Sequence, residues 1–184
     1  MKRNKNSSSG KRKSFCLALG GIFSALGVAI MYVGSFIEVL DLTTSALASL
    51  LCIVTVIELG KRWAWSVYAV TSVLSVILLG NKFPAVVYLL FAGFYPMIKE
   101  VLEGKIRKKV LAYAIKLIIF NAAFAAIAAV SVLLLRLPFD EKGIMIAALI
   151  ALGNVTFVLY DIALTRLISF YIFKLRPRLN FLNK

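Results

Sequence analysis

Residues 15–37 read FCLALGGIFSALGVAIMYVGSFI, a run without a single charged side chain, and this run decides the fold. At ~1.5 Å of rise per helical residue it is long enough to cross a hydrocarbon layer of ~30 Å, so it predicts a membrane-spanning α-helix. Basic residues precede it, which also suits a cleaved signal peptide. The apolar run is too long for that, however, and no small-x-small cleavage site followed by a polar mature region appears. It is read as the first span. Residues 1–13, rich in Lys, Asn and Ser, offer no apolar surface to offset ordering entropy and are read as a disordered basic tail.

Working outward, further apolar runs occupy 45–59, 63–79, 83–98, 110–135 and 143–173. Together they predict an all-α, polytopic integral membrane protein, a six-helix transmembrane bundle over residues 14–175 with a second basic tail at 176–184. Trp63 and Trp65 stand beside Lys61 and Arg62, as amphipathic rings at a membrane interface do. Pro84 suits the first turn of the fourth span, and Pro96 near its end predicts a kink or stop. The sixth run would make ~46 Å of helix, so it must tilt, break near Gly153 or project beyond the bilayer.

The bases fall on alternating connections. One set holds Lys2, Arg3, Lys5, Lys11, Arg12 and Lys13, then Lys61 and Arg62, then a loop at 99–109 with Lys99, Lys105, Arg107, Lys108 and Lys109, and finally Lys174, Arg176, Arg178 and Lys184. The other set holds Lys82, Arg136 and Lys142. Positively charged loops resist translocation, so both termini are expected in the cytoplasm of a cell-membrane protein.

Of the 184 residues, 61% are hydrophobic, and the formal net charge is +14. The mean hydropathy is +0.92. Such a chain cannot hide its apolar surface in a soluble core. The charge is explained by topology and by attraction to anionic lipid, and no groove-reading or aromatic RNA motif accompanies it, so no nucleic-acid partner is expected. The chain has no histidine, which removes the commonest metal ligand and general base. No P-loop, dinucleotide turn, nucleophile elbow or paired catalytic carboxylates are present. No enzyme activity, resident cofactor or metal is therefore expected. Cys16 and Cys52 lie in apolar runs and are read as small packing residues.

Three groups of residues carry candidate functions. On the first span Gly20, Gly27 and Gly34 recur every seven positions and Gly21, Ala25 and Ala29 every four, leaving a broad strip without bulky side chains. In lipid, close backbone approach is what joins helices, so the strip packs either on this chain's own helices or on a partner subunit. Deeper in the membrane, Lys116 lies ~10 Å past Lys109, and Asp161 lies at similar depth on the last span. Opposite charges there are expected to form an intramembrane ion pair, either a structural clamp or part of an ion relay. Toward the outer side, Tyr32, Glu38, Asp41, Asn81, Lys82, Tyr88 and Arg136, with Asn154 deeper, supply the aromatic area and polar groups that a small-molecule pocket uses. A wet rim is the plainer reading of the loop charges. Asn121 and Asn154, inside spans, are expected to have hydrogen-bond partners.

With size, six spans, termini inside, the Ala25-x-x-x-Ala29 pattern and a polar outer loop after the first helix, the chain resembles the substrate-binding S subunits of energy-coupling factor transporters. The likeness covers residues 13–174, and 23–42 and 80–100 look like the corresponding stretches of unassigned members. The resemblance implies that Gly21, Ala25 and Ala29 dock onto a transmembrane T subunit coupled to two ATPases. It also implies that a vitamin-sized solute binds in an outward-facing pocket. No pocket signature of the thiamine, riboflavin or biotin members matches, and the histidine-bearing start of the cobalt and nickel members is absent, so the ligand stays open. The expectation is a substrate-capture subunit for ATP-driven uptake of a small polar solute. The alternative is a six-span structural or assembly protein, similar to rod-shape-determining membrane proteins, that binds no solute.

Overall fold

The computed structural model of the chain describes residues 5–106, 108–133 and 143–175. Those residues are almost entirely helical, with no strand among them. The chain divides into two compact units, Met1–Met97 and Ile98–Lys184.

Unit 1 begins with α1, Lys5–Gly34, whose helical backbone starts inside the segment read as a tail. Its apolar portion is Arg12–Gly34. A short 3-10 turn, Glu38–Leu40, leads into α2, Asp41–Glu58, and α3 follows at Lys61–Leu78. The reversal between α2 and α3 depends on Gly60. Its φ of 90° is a left-handed conformation that costs glycine little, and its N–H caps the Thr55 carbonyl at 3.1 Å. After α3 the Asn81 side chain accepts the Phe83 N–H at 3.0 Å and starts α4, Phe83–Val87, with Pro84 in its first turn.

The fourth run then departs from the sequence expectation. It continues from α4 into a π-helical turn, Tyr88–Ala92, closed by Gly93 N–H to the Tyr88 carbonyl at 2.8 Å, and breaks at Gly93 and Phe94. Helix α5, Tyr95–Lys105, starts immediately afterwards. Pro96 therefore opens a helix, where its missing N–H would have no intrahelical partner, instead of ending one. Position 93 requires glycine, because Tyr68 and Tyr88 crowd it and leave no room for a β-carbon. Residues 99–105, expected in a basic loop, are helical too.

Packing in unit 1 is built on the glycines of α1. A β-carbon on Gly20 would lie 3.4 Å from Val67, and one on Gly27 would lie 3.2 Å from Thr71, while Gly34 sits against the Thr44 side chain. These three let α1 approach α2 and α3 closely. Val28, Met31, Ala48, Cys52, Val67, Leu79, Ala85, Tyr88 and Ala92 form the apolar core beside them. Buried hydroxyls of Ser24, Ser45, Thr55 and Ser75 donate to carbonyls four residues back on their own helices, which lets polar side chains sit in an apolar bundle.

Unit 2 holds the remainder of α5, then α6, Lys109–Leu133, and α7, Gly143–Phe170, which widens into a π-helical turn at Tyr171–Leu175. The rings of Phe120 and Phe157 stack at 4.7 Å between α6 and α7. Leu111, Ile118 and Leu133 on α6 and Leu152, Val155 and Leu159 on α7 are exposed. Surfaces this apolar suit lipid and not water.

Among the described residues five helical stretches are long and apolar enough to cross a membrane: Arg12–Gly34, Asp41–Glu58, Phe83–Lys105, Val110–Leu133 and Ile146–Lys174. Helix α3, 18 residues long, covers the remaining expected run, the third. Lys61 and Arg62 in its first turn lower its mean hydropathy and set it apart from the other five.

Candidate functional site

In unit 1, Asp41, Asn81 and Lys82 bond to one another or to the backbone. Asp41, in the first turn of α2, is buried and accepts from Asn81 Nδ2 at 2.7 Å, and Asn81 Oδ1 also accepts the Phe83 N–H at the start of α4. These two expected ligand residues are brought together, and Ser45 extends the group by donating to the Pro84 carbonyl at 2.9 Å. Lys82 turns to the end of α3, donating to the Leu79 carbonyl and to that of Ile77 at 3.4 Å. A cation at a helix C-terminus is well placed to neutralise the dipole.

Tyr88 is fully buried, with its hydroxyl 3.0 Å from Cys52 Sγ. Its neighbour Tyr68 donates to the Leu89 carbonyl at 2.7 Å beside the helix break. Tyr88 thus belongs to the core and not to a rim. Tyr32 is exposed and packs edge-on to Phe36 at 5.4 Å. The Glu38 side chain and Arg136 lie outside the described residues.

The two small-residue rows of α1 meet different fates. The Gly20, Gly27 and Gly34 row is consumed by packing within unit 1. Gly21, Ala25 and Ala29 are all exposed, and apart from the adjoining turns of α1 no atom of the described residues of unit 1 lies within 4 Å of where a Gly21 β-carbon would sit.

In unit 2 Asn154 and Asn121 form a reciprocal amide pair across α7 and α6, at 2.9 and 3.2 Å. Each also donates to a carbonyl four residues back. Replacing Asn154 with Leu should lower the thermal stability of detergent-solubilised protein by about 0.6 kcal/mol and at most about 1.7, the range for interhelical hydrogen bonds in a membrane protein. A thermal midpoint equal to that of the parent protein would show that the pair contributes nothing.

The densest chemistry lies nearby. Lys116 Nζ on α6 is 3.1 Å from Asp161 Oδ2 on α7 and 2.6 Å from Glu103 Oε1 on α5. Lys99 Nζ, also on α5, binds Asp161 Oδ1, lies 3.1 Å from Glu103 Oε1, and donates to Thr165 Oγ1 at 2.7 Å and to the Asp161 carbonyl at 3.1 Å. The result is a charge-neutral ring of two ammoniums and two carboxylates joining three helices. Lys99 is 1% exposed, and Lys116 and Asp161 are 3% exposed. The Glu103 side chain is 45% exposed. Tyr113 places its ring 5.7 Å from the Lys116 ammonium.

Sequence reasoning placed Lys116 beside Asp161 but assigned Lys99 and Glu103 to a solvated loop. The correction has a simple cause: α5 runs through the expected loop start, so positions 99 and 103 lie one turn apart on one face. The i,i+4 spacing of a base and an acid directly after the fourth apolar run was the signal available. Among the described residues no group of His, Cys, Asp and Glu side chains could hold a metal ion.

No family model matches the chain, and no curated protein or solved structure matches it. The class that the architecture defines is an all-helical protein with five to six helices of membrane-spanning length and apolarity. The fold and side-chain geometry carry the functional argument from there.

Proposed function

We propose that the chain is a membrane-embedded subunit that docks through α1 onto another membrane protein, in the specific form of a substrate-capture subunit for ATP-driven uptake of a small polar solute. In this reading it crosses the cell membrane six times with both termini in the cytoplasm. It works with a transmembrane T subunit and two ATPase subunits, as the resemblance to S subunits implies. The observation that carries the proposal is the division of α1: one glycine row is used internally, while Gly21, Ala25 and Ala29 remain uncovered on another face. A helix that needed only internal packing would have no use for a second flat face, and lipid fills the space beside large side chains just as well. The alternation of basic and base-poor connections supports the orientation.

Widening the uncovered face tests the docking. Gly21→Leu with Ala25→Leu should leave the protein folded and reduce copurification with T and ATPase subunits at least tenfold, since bulky side chains prevent close helix approach. Undiminished copurification would remove α1 from the docking role.

A second reading, a structural or assembly protein that binds no solute, is favoured by one observation: Asp41, Asn81 and Tyr88 are already engaged by protein groups. Ligand-dependent thermal stabilisation separates the two. Screening small polar solutes should raise the melting temperature for a capture subunit, because a ligand that binds the native state stabilises it by mass action. A scaffold shows no such rise.

A further inference from the structure

The ring in unit 2 has one feature that a purely structural clamp does not require. Three of its charged members are almost completely buried, whereas Glu103 opens to the surroundings. Glu103 holds both lysines at once, Lys99 at 3.1 Å and Lys116 at 2.6 Å through the same oxygen. The charged groups facing it are therefore Lys99 from its own helix and Lys116 from α6. Asp161 of α7 lies beyond them, bound to the same two ammoniums, and the Tyr113 ring flanks Lys116.

We propose that Glu103 is a proton-binding site that works as a latch: its ionised carboxylate completes the neutral ring and holds α5, α6 and α7 together, and its protonation releases them. The charge balance supplies the mechanism. With Glu103 ionised, two positive and two negative charges cancel among apolar helices. When one proton binds to the Glu103 carboxylate, no bond within the ring breaks covalently, but Asp161 is left as the single anion between two ammoniums. A buried net positive charge is costly in a membrane interior and is relieved when water reaches it. Lys116 is the first group affected, because its shortest ion-pair contact is to Glu103. An ion relay strings several titratable groups together, and four are strung together here, three of them buried and Glu103 exposed.

The sign follows from the charge that is lost. The ring is complete when Glu103 is ionised, so the three-helix packing is tight at neutral pH and loosens as pH falls and the carboxylate takes up a proton.

Hydrogen exchange on the full chain in detergent micelles, corrected for the intrinsic pH dependence of exchange, tests this peptide by peptide. Exchange in α6, α7 and the unit 2 part of α5 should accelerate about tenfold or more, relative to α2 and α3, between about pH 7.5 and about pH 3, a range that extends below ordinary carboxylate titration. Glu103→Gln should show the fast exchange already at neutral pH and lose the pH dependence. An unchanged wild-type profile over that range overturns the proposal without recourse to any variant. A Glu103→Gln protein that keeps the wild-type pH dependence also overturns it, because Asp161 or another group would then be the titrating one. If Glu103→Gln does not fold, the wild-type series decides alone.

Discussion

Replacing Asp161 with Asn should destabilise unit 2 by about 3–5 kcal/mol, the usual cost of removing one partner from a buried ion pair. Asp161 is the carboxylate shared by two ammoniums that are 1% and 3% exposed, and neither lysine has another buried carboxylate among its ion pairs. Asn keeps the size and some hydrogen bonding but supplies no charge, so two cations would depend on Glu103 alone. Thermal unfolding in detergent measures the loss, and reduced yield of folded protein should accompany it. The complementary experiment removes the charges together: Lys99→Met, Glu103→Gln, Lys116→Met and Asp161→Asn in one chain should be less damaging than Asp161→Asn alone, because no uncompensated charge is then left among the apolar helices. A quadruple variant that is worse than the single one would mean that the ring contributes net stability beyond the mutual compensation of its charges. A single variant with the parent's melting temperature would show that Asp161 is not the group compensating the lysines.

Gly34→Ala should cost about 1–3 kcal/mol, the range for forcing a methyl group into a packed site. Its β-carbon would collide with the Thr44 side chain, which is held by hydroxyl bonds to the Leu40 carbonyl at 3.0 Å and the Asp41 carbonyl at 3.3 Å. Thr44 can move aside only by giving up those bonds. Gly21→Ala is the matched control: it adds the same methyl group to the same helix at a point where no neighbouring helix of unit 1 comes within 4 Å. Alanine is the better helix former, so that variant should match or exceed the parent in stability. Melting curves in one detergent compare the two. Equal midpoints would mean that the close approach of α1 to α2 is not what Gly34 provides.

The two experiments address opposite ends of the same question, because both concern groups that an apolar bundle tolerates only in one arrangement. The membrane-span character was legible in the residues. Runs such as 15–37 and 110–135 announce helices by length and lack of charge, and hydrogen bonding inside lipid leaves a helix as the available conformation for an isolated segment. Lys116 and Asp161 could be matched by depth along their helices, and they lie within ion-pair distance. The partners Lys99 and Glu103 could not be read as such. A base after Pro96 counts as a loop base until the helix is known to restart at Tyr95.

The outer residues illustrate the other limit. Asp41, Asn81 and Tyr88 share a polar character and a side of the membrane in the sequence reading, yet Tyr88 points into the core toward Cys52, while Asp41 and Asn81 bind each other. Depth along a helix follows from counting residues; direction around its axis, in helices apolar on nearly every face, does not. Hydropathy is almost the same whether a side chain meets lipid or a neighbouring helix, so periodicity carries little information about which face is buried.

What the sequence by itself determined is therefore the class of structure: a chain of apolar helices separated by charged or polar connections, because transfer from water and backbone satisfaction depend on composition and length. What the tertiary structure alone decided is the use of each face. It assigned the Gly20, Gly27 and Gly34 row to internal packing and left Gly21, Ala25 and Ala29 uncovered. It also closed a four-charge ring from residues spread between positions 99 and 161. Both outcomes depend on side chains far apart in the chain meeting at distances of a few ångströms, and contacts of that kind exist only after the helices have packed.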